Sequence, residues 1–383
     1  MKTAIYIADL YSDNAHLMPW RVPLEIHRNW QGENRPEIWS GRDIQQSLPT
    51  EFIRGVPVCP VPRIVGNLKG LAERIRERNC ELLYFPVAFY RCYQNTLEIE
   101  QRTGCRIVWY LPGGWYTVRQ CFGAMKYMKF RSVLPYLVQA AFPKRVFFRA
   151  LSKGKKRAFI CFSNYSAEKV SSLYPADAVF TALPGMDQNR RILGNVGQEK
   201  NPPYFLFFGP PSPIRGSQVL LRAFEELAKT HPDCRLHLCI RSDKNADASD
   251  LLNKVRISPA SSRIDVFERS LSPEDLQQEI DGCIAVVKPF LIVPSEIPLA
   301  VIESAQYGKP VLATGPDGTG DFASQFGLVS PHGDWRGLFR NMKRLLEDQK
   351  LRNELGAKAL KIASTHPGWK DSATVWKLAG NYR

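Results

Sequence analysis

Arg215 is the residue best placed to do chemistry. It stands in "FFGPPSPIRG", between a strand-like run and a helix-like run. Gly209 closes the strand, prolines set the turn, and Gly216 lets the backbone open a helix whose first N–H groups and dipole favour an anion. A guanidinium at that entrance can clamp a diphosphate through two parallel hydrogen bonds. A surface arginine in a turn is the alternative. The second such loop is "FLIVPSEIPLAVIESAQYGKPVLAT". Pro298 suits a first helical position, which predicts a helix from Pro298 to Tyr307 with Gly308 as its C-terminal cap. Inside it, the Glu303 carboxylate could accept two hydrogen bonds from a vicinal diol such as ribose. Glu296 precedes the helix and is expected near the mouth of a crevice. Two glutamates seven residues apart are also common on solvated helix faces.

Other chemistries find less material. The nine cysteines are spread along the chain, most of them in apolar runs such as "AFICFSN", and no C-x-x-C pair occurs. They read as buried free thiols of a reducing cytoplasm. The six histidines form no H-x-x-x-H pair, so a protein-held metal is not expected.

Elements that could position these residues alternate in the manner of parallel α/β layering. In the first half, "TAIYIA", "ELLYFPV", "RIVWYLP", "AFICFS" and "AVFTALP" read as strands, with "GLAERIRERN" the clearest helix. The second half restarts with "YFLFFG", "RLHLCI", "IDVFE", "CIAVVKPF" and "PVLAT". Helices "SQVLLRAFEELAKTH", "DLLNKVRIS", "PEDLQQEID" and "PLAVIESAQYG" separate them. Between the halves, "QNRRILGNVGQEKNPP" is the candidate linker. A chain of 383 residues exceeds what one core usually organises, so two doubly wound domains are expected, with ligands at the carboxyl ends of their strands.

The net charge of +15 is concentrated: from Gln101 to Ala167 there is no Asp or Glu, while thirteen Lys and Arg alternate with aromatic and aliphatic residues. That mixture predicts attachment of residues 119–157 to an anionic membrane surface, basic groups facing headgroups and apolar ones entering their boundary. A solvated basic face over an ordinary core helix is the competing reading. Nucleic acid is not expected, because no helix-turn-helix, zinc-finger or RNP-like stretch accompanies the charge. The apolar start, six residues between Lys2 and Asp9, is too short for a secretory signal, and Ser132–Pro143 is too short to span a bilayer. A cytoplasmic protein, peripheral on the inner face of the membrane, is the expectation.

These motifs resemble family 4 retaining glycosyltransferases (group 1 glycosyltransferases) of the GT-B fold. Gly209, Arg215 with Gly216, Glu303, and "GKPVLAT" from Gly308 match the family's donor half in order. "FSNYSAEKV" and "ALPGMD" resemble the segments that end its first domain, and "GWKDSATVWKLAGNY" its final helix, with Trp369 near the start. The resemblance covers roughly residues 160–383. It implies an α/β architecture of two Rossmann-like doubly wound domains facing a central cleft: 1–190 for the acceptor, 191–367 for the nucleotide-sugar donor, and a C-terminal helix, 368–383, that crosses back.

The implied activity is retaining transfer of a hexosyl group from a nucleotide diphosphate sugar to a saccharide or lipid-linked acceptor in cell-surface polysaccharide assembly, with no cofactor and no metal. Absence of any D-x-D run agrees with this. The resemblance gives catalytic roles to Arg215 and Glu296. Donor binding would involve Gly209, Ser212, Arg215 and Gly216 from the first loop, and Ser295, Glu296, Leu299, Ala300 and Glu303 from the second, with Phe267 to Ser270 bordering the base. Gly113 and Gly114 of "YLPGGWY" fall on the acceptor side, where the family often has a histidine. Other departures are that the family's first glutamate falls on Ser295, that Pro210 replaces its usual arginine, and that "ADLYSDNA" lacks the glycine pair after the first strand. A non-catalytic nucleotide-sugar-binding subunit and a sugar-nucleotide epimerase of the same fold are the alternatives.

Overall fold

The computed structural model describes the whole chain except residues 45–47, 88–90, 153–156, 187–191, 195, 198, 241–247, 269–270, 294 and 383; at 91–93, 150 and 152 only the backbone is described. Two compact units form, Met1–Gly114 with Ala141–Asp187 and Pro367–Arg383, and Trp115–Ala140 with Gln188–His366. Both carry parallel sheets.

The first unit holds β1 (Thr3–Ala8), β2 (Glu37–Arg42), β3 (Glu51–Ile53), β4 (Val56–Pro62), β5 (Leu82–Pro86), β6 (Arg106–Leu111), β7 (Phe159–Cys161) and β8 (Val179–Thr181). Their order is β3-β4-β2-β1-β5-β6-β7-β8, and β3 alone pairs antiparallel, with β4. The direction of winding reverses at β1, which lies between β2 and β5. The sheet buries large aromatics, among them Tyr6, Trp39, Tyr84, Phe85, Trp109 and Tyr110. The last helix, Trp369–Asn381, closes one face: Tyr84 donates to the Trp376 carbonyl at 2.7 Å, and the Trp376 ring lies 5.0 Å from Tyr110.

The strand runs expected in this half are present. Three further strands went unread, each for a physical reason. β4, "VPVCPVP", carries three prolines, which sequence reasoning counts against a strand. The turn before it, Arg54–Gly55, takes positive φ at both residues (50° and 75°) and thereby forces the tight β3–β4 hairpin. β2, "EIWSGR", is interrupted by a glycine.

The second unit holds β9 (Tyr204–Gly209), β10 (Arg235–Ile240), β11 (Ile264–Phe267), β12 (Ala285–Lys288), β13 (Val311–Gly315) and β14 (Gly327–Pro331), all parallel in the order β11-β10-β9-β12-β13-β14. Helix Ser217–Thr230 buries Val219, Leu220, Ala223, Phe224 and Leu227, an apolar face repeating every three to four residues.

Residues 115–140, assigned on the sequence to the first domain, pack in this second unit. Cys121 and Ala124 of helix Val118–Ala124, with Met128 just beyond its end, join the core of Phe207, Leu220, Phe224 and Leu291. Polar side chains pin the segment as well. Tyr116 donates to the Val293 carbonyl at 3.1 Å, Gln120 to Leu291 at 3.1 Å and Tyr127 to Gly333 at 3.0 Å. Nothing in the local pattern distinguishes an apolar face that packs at home from one that packs on the other unit. Part of the linker run lies outside the described residues, but Leu193 and Lys200 donate backbone N–H groups to Gln306 and Gly282, so its later half is held by the second unit.

Candidate donor site

Gly209 ends β9 at φ 128°, and a Cβ there would stand 3.3 Å from Nη1 of Arg215. One 3-10 turn, Pro213–Arg215, follows, with the Arg215 amide bonded to the Ser212 carbonyl at 2.9 Å. Gly216 then takes φ 75° and caps helix Ser217–Thr230 without a side-chain hydrogen bond. The loop has a fixed neighbour. Leu291 and Ile292 donate their amides to the Ile214 carbonyl at 2.8 and 3.2 Å, and the Arg215 guanidinium lies 5.8 Å from the Phe290 ring centroid. Two segments far apart in sequence are thus locked into one wall at the carboxyl ends of β9 and β12.

The second expected loop adjoins this wall. Helix Leu299–Gln306 begins one residue later than expected, Pro298 serving as its N-cap (ψ 137°), and Gly308 closes the turn behind it at φ 63°. Leu299, Ala300 and Glu303 are half-buried on its first turns. Ser295 and Glu296 are buried, and here the expectation is corrected: Glu296 does not lie near a mouth but is fully enclosed. One of its carboxylate oxygens accepts the Trp115 amide at 3.0 Å, and its carbonyl accepts from Thr319 Oγ1 at 2.9 Å. Trp115 directly follows Gly113 and Gly114. Of the loop expected to border the base, 269–270 lie outside the described residues.

Three groups escaped the sequence reading. Lys288, the last residue of β12, is 1% exposed, and its amine donates to the Phe208 carbonyl at 2.6 Å while lying 3.4 Å from the centroid of the Phe208 ring. Burial, reinforced by Arg215, pushes its pKa well below the usual lysine value, and Glu303 opposes that shift. The available signal was a lysine inside the apolar strand "IAVVKPF". His332, with 9% of its side chain exposed behind the same wall, has Nδ1 2.9 Å from the Phe290 carbonyl and Nε2 3.1 Å from Asp317. Burial lowers its pKa, but the Asp317 carboxylate and the carbonyls of Phe290 and Pro316 outweigh it, so the net shift is upward. Asp317 also caps the following helix by accepting the Gly320 amide at 2.8 Å.

The third lies in the first unit. A cavity of about 460 Å³ opens at the carboxyl ends of β1 and β5, where the winding reverses, and is walled by Tyr6, Trp20, Ile64, Val65 and Phe85. That is where doubly wound sheets bind ligands. At its rim Asp9 takes the left-handed conformation (φ 55°) and pairs with Arg63. Asp tolerates this region better than most residues, which explains how the turn forms without the glycine pair.

Residues 202–348 match the family "Glycosyl transferases group 1". The chain has the GT-B fold. Sucrose-phosphate synthase from Thermosynechococcus elongatus superposes with a TM-score of 0.71 at 12% identity, over 98% of each chain. Anabaena HepE in complex with UDP gives 0.67 at 15% identity, over 99% of each. WaaG, a glycosyltransferase involved in lipopolysaccharide biosynthesis, gives 0.66 at 12% identity, covering 99% of this chain and 100% of its own. No sequence among the curated proteins matches. The group 1 match covers both loops of the wall, and with it Arg215, Lys288 and Glu303.

The charged segment needs one correction. Arg157, counted with the membrane-facing residues, is 8% exposed and ion-pairs with Glu100, and Lys153, Lys155 and Lys156 lie outside the described residues. What is exposed is an apolar stripe on helix Phe130–Ala141: Phe130, Leu134 and Val138, one turn apart, at 56%, 41% and 55%. Lys126, Lys129 and Arg131 are exposed around it. No helix among the described residues is long and apolar enough to cross a membrane.

Proposed function

We propose that the protein is a retaining glycosyltransferase of the family 4 type, moving a hexosyl group from a nucleoside diphosphate sugar to a saccharide or lipid-linked acceptor in cell-surface polysaccharide assembly. One observation carries this reading: Arg215 and Glu303, remote in sequence, shift the pKa of the same buried amine of Lys288 in opposite directions, which supports placing them in one site. Support also comes from HepE, whose structures contain UDP, UDP with glucose, and UDP-glucose.

In this reading Arg215 and the amides that open helix Ser217–Thr230 take the diphosphate, while Glu303 accepts the ribose hydroxyls and Leu299 and Ala300 present backbone amides to the donor. As the bond between the anomeric carbon and the diphosphate oxygen breaks, charge builds on the leaving group. The guanidinium and the helix N-terminus are already oriented towards that charge, so no reorganisation is needed, and no metal is invoked. The acceptor oxygen bonds to the anomeric carbon on the face the diphosphate leaves, and its proton passes to a diphosphate oxygen. Ser212 and Ser295 shape the walls. Glu296 acts by holding the Trp115 turn rather than by contacting sugar. The acceptor's apolar portion occupies the cavity of Tyr6, Trp20 and Phe85, and Gly113 and Gly114 allow close backbone approach. Attachment through Phe130, Leu134 and Val138, ringed by lysine and arginine, would hold the enzyme on the inner face of the membrane, where lipid-linked acceptors are found.

The test is a thermal-shift screen of nucleoside diphosphate sugars, since a ligand that binds only the folded state raises its melting temperature. Wild type should shift with one donor, and Arg215→Ala and Glu303→Ala should each abolish the shift. Equal shifts in all three proteins would refute the site. Tight donor binding without hydrolysis or transfer would make the chain a binding subunit, and interconversion of free donors an epimerase.

A further inference from the structure

Lys288 is expensive to bury, and the ligand-free protein gives its amine little in return. The amine meets a backbone carbonyl and an aromatic face, and among the described residues no carboxylate lies within ion-pairing distance of it. The register of the sheet explains where it points. β12 runs beside β9 with Ala285 opposite Phe205 and Val286 opposite Leu206, so Lys288 falls level with Phe208, immediately before Gly209. Gly209 in turn faces Arg215 closely enough that a Cβ would come within 3.3 Å of Nη1. Two basic side chains therefore converge on one strand end, an arrangement that an arriving anion would favour.

We propose that Lys288 is a second phosphate-binding cation of the donor site, its ammonium taking a diphosphate oxygen when the nucleoside diphosphate sugar settles beside Gly209 and Arg215. This rests on the donor-site reading above and adds to it a residue that arrives from β12 rather than from the glycine-rich loop. The groups acting on Lys288 are Arg215, which disfavours its proton, and Glu303, Cys239 and Cys283, which favour it. Burial holds both thiols up at about 12, so they stay neutral through the working range. Glu303 alone does not offset burial and Arg215, and the amine of the free protein loses its proton at a lower pH than an ordinary lysine. A diphosphate reverses that balance. Donor binding should therefore draw a proton into the protein.

Calorimetric titration of the full-length protein with UDP, GDP and ADP, in two buffers of different ionisation enthalpy between pH 7.5 and 9.5, reads that proton directly. Wild type should bind one of these nucleotides with net proton uptake in this range. Lys288→Met should keep the fold and the ligand-free melting temperature, or raise it, yet bind at least tenfold more weakly and take up no proton. Lys288→Arg, permanently charged, should bind without uptake. If wild type binds a nucleotide with no proton uptake at any of these pH values, or Lys288→Met binds as wild type does, this inference falls and the donor-site reading stands. If wild type binds none of the three, both fall. A Lys288→Met that fails to fold leaves the wild-type proton count to decide.

Discussion

Gly216→Ala is the sharpest perturbation the wall offers, because the structure supplies its own control. Gly216 and Gly55 share φ 75°, yet an added Cβ at Gly55 meets nothing within 4 Å, while at Gly216 it would stand 1.8 Å from the Pro289 carbonyl oxygen. The left-handed backbone costs an L-residue about 1–2 kcal/mol at either site. At Gly216 the loop must also retreat by at least 1.2 Å, the difference between 1.8 Å and the 3.0 Å below which real Cβ contacts essentially never fall. That retreat stretches the two hydrogen bonds to the Ile214 carbonyl, each worth about 1 kcal/mol. The expected losses are therefore about 1–2 kcal/mol for Gly55→Ala and about 3–4 kcal/mol for Gly216→Ala. At ~2–4 °C per kcal/mol for units of this size, the second variant should melt roughly 5 °C or more below the first. The retreat also carries Arg215 with it, and misplacement by about 1 Å commonly costs ~100-fold in rate. Donor turnover should thus fall about 100-fold in Gly216→Ala and stay at the wild-type level in Gly55→Ala. Matching melting curves and matching turnover for the two variants would refute the packing of the loop against Pro289 and, with it, the placement of Arg215.

Flotation with anionic liposomes should carry the wild-type protein upward at low salt and less so at high salt, as expected when part of the attraction is screened. Replacing Phe130, Leu134 and Val138 together with serine should abolish flotation while leaving the melting temperature within about 2 °C, since all three are exposed; unchanged flotation would reject that face. The raised pKa of His332 contributes stability that is complete below its unfolded value of 6.5 and is lost as pH rises through the higher folded value. Wild type should lose stability across that window in buffered thermal melts and His332→Asn should not; parallel curves would remove His332 from the wall.

Most of the second unit was legible because its punctuation is local, although strand β14, Gly327–Pro331, was not. Gly209 and Gly216 are glycines because the chain needs positive φ at both, Gly308 closes a helix for the same reason, and apolar runs between them have strand and helix periods. The first unit was harder to read because β4 is built from prolines and β2 contains glycine, so tertiary pairing overrides local propensity. Residues 115–140 illustrate a different limit. Their amphipathic spacing announces a buried face but carries no information about which core receives it.

Glu296 shows why the departure at the second loop could not be resolved by counting. Shifted by one residue from the matching position, a carboxylate could either reach back to the same ligand or turn to a new partner, and spacing cannot distinguish these. The structure supplies the partner, a backbone amide at Trp115. A buried carboxylate needs hydrogen bonds wherever it points. Placed on the amide that follows Gly113 and Gly114, it fixes a turn in which the glycines themselves resist nothing. The same reasoning runs in reverse for Lys288. There the chain buries an amine whose protein partners are a carbonyl and a ring, and the proposed complement is the charge that a diphosphate would bring in. Glu296 finds its partner within the fold, whereas the proposal assigns that of Lys288 to the substrate, and burial with the partner's identity separates the two.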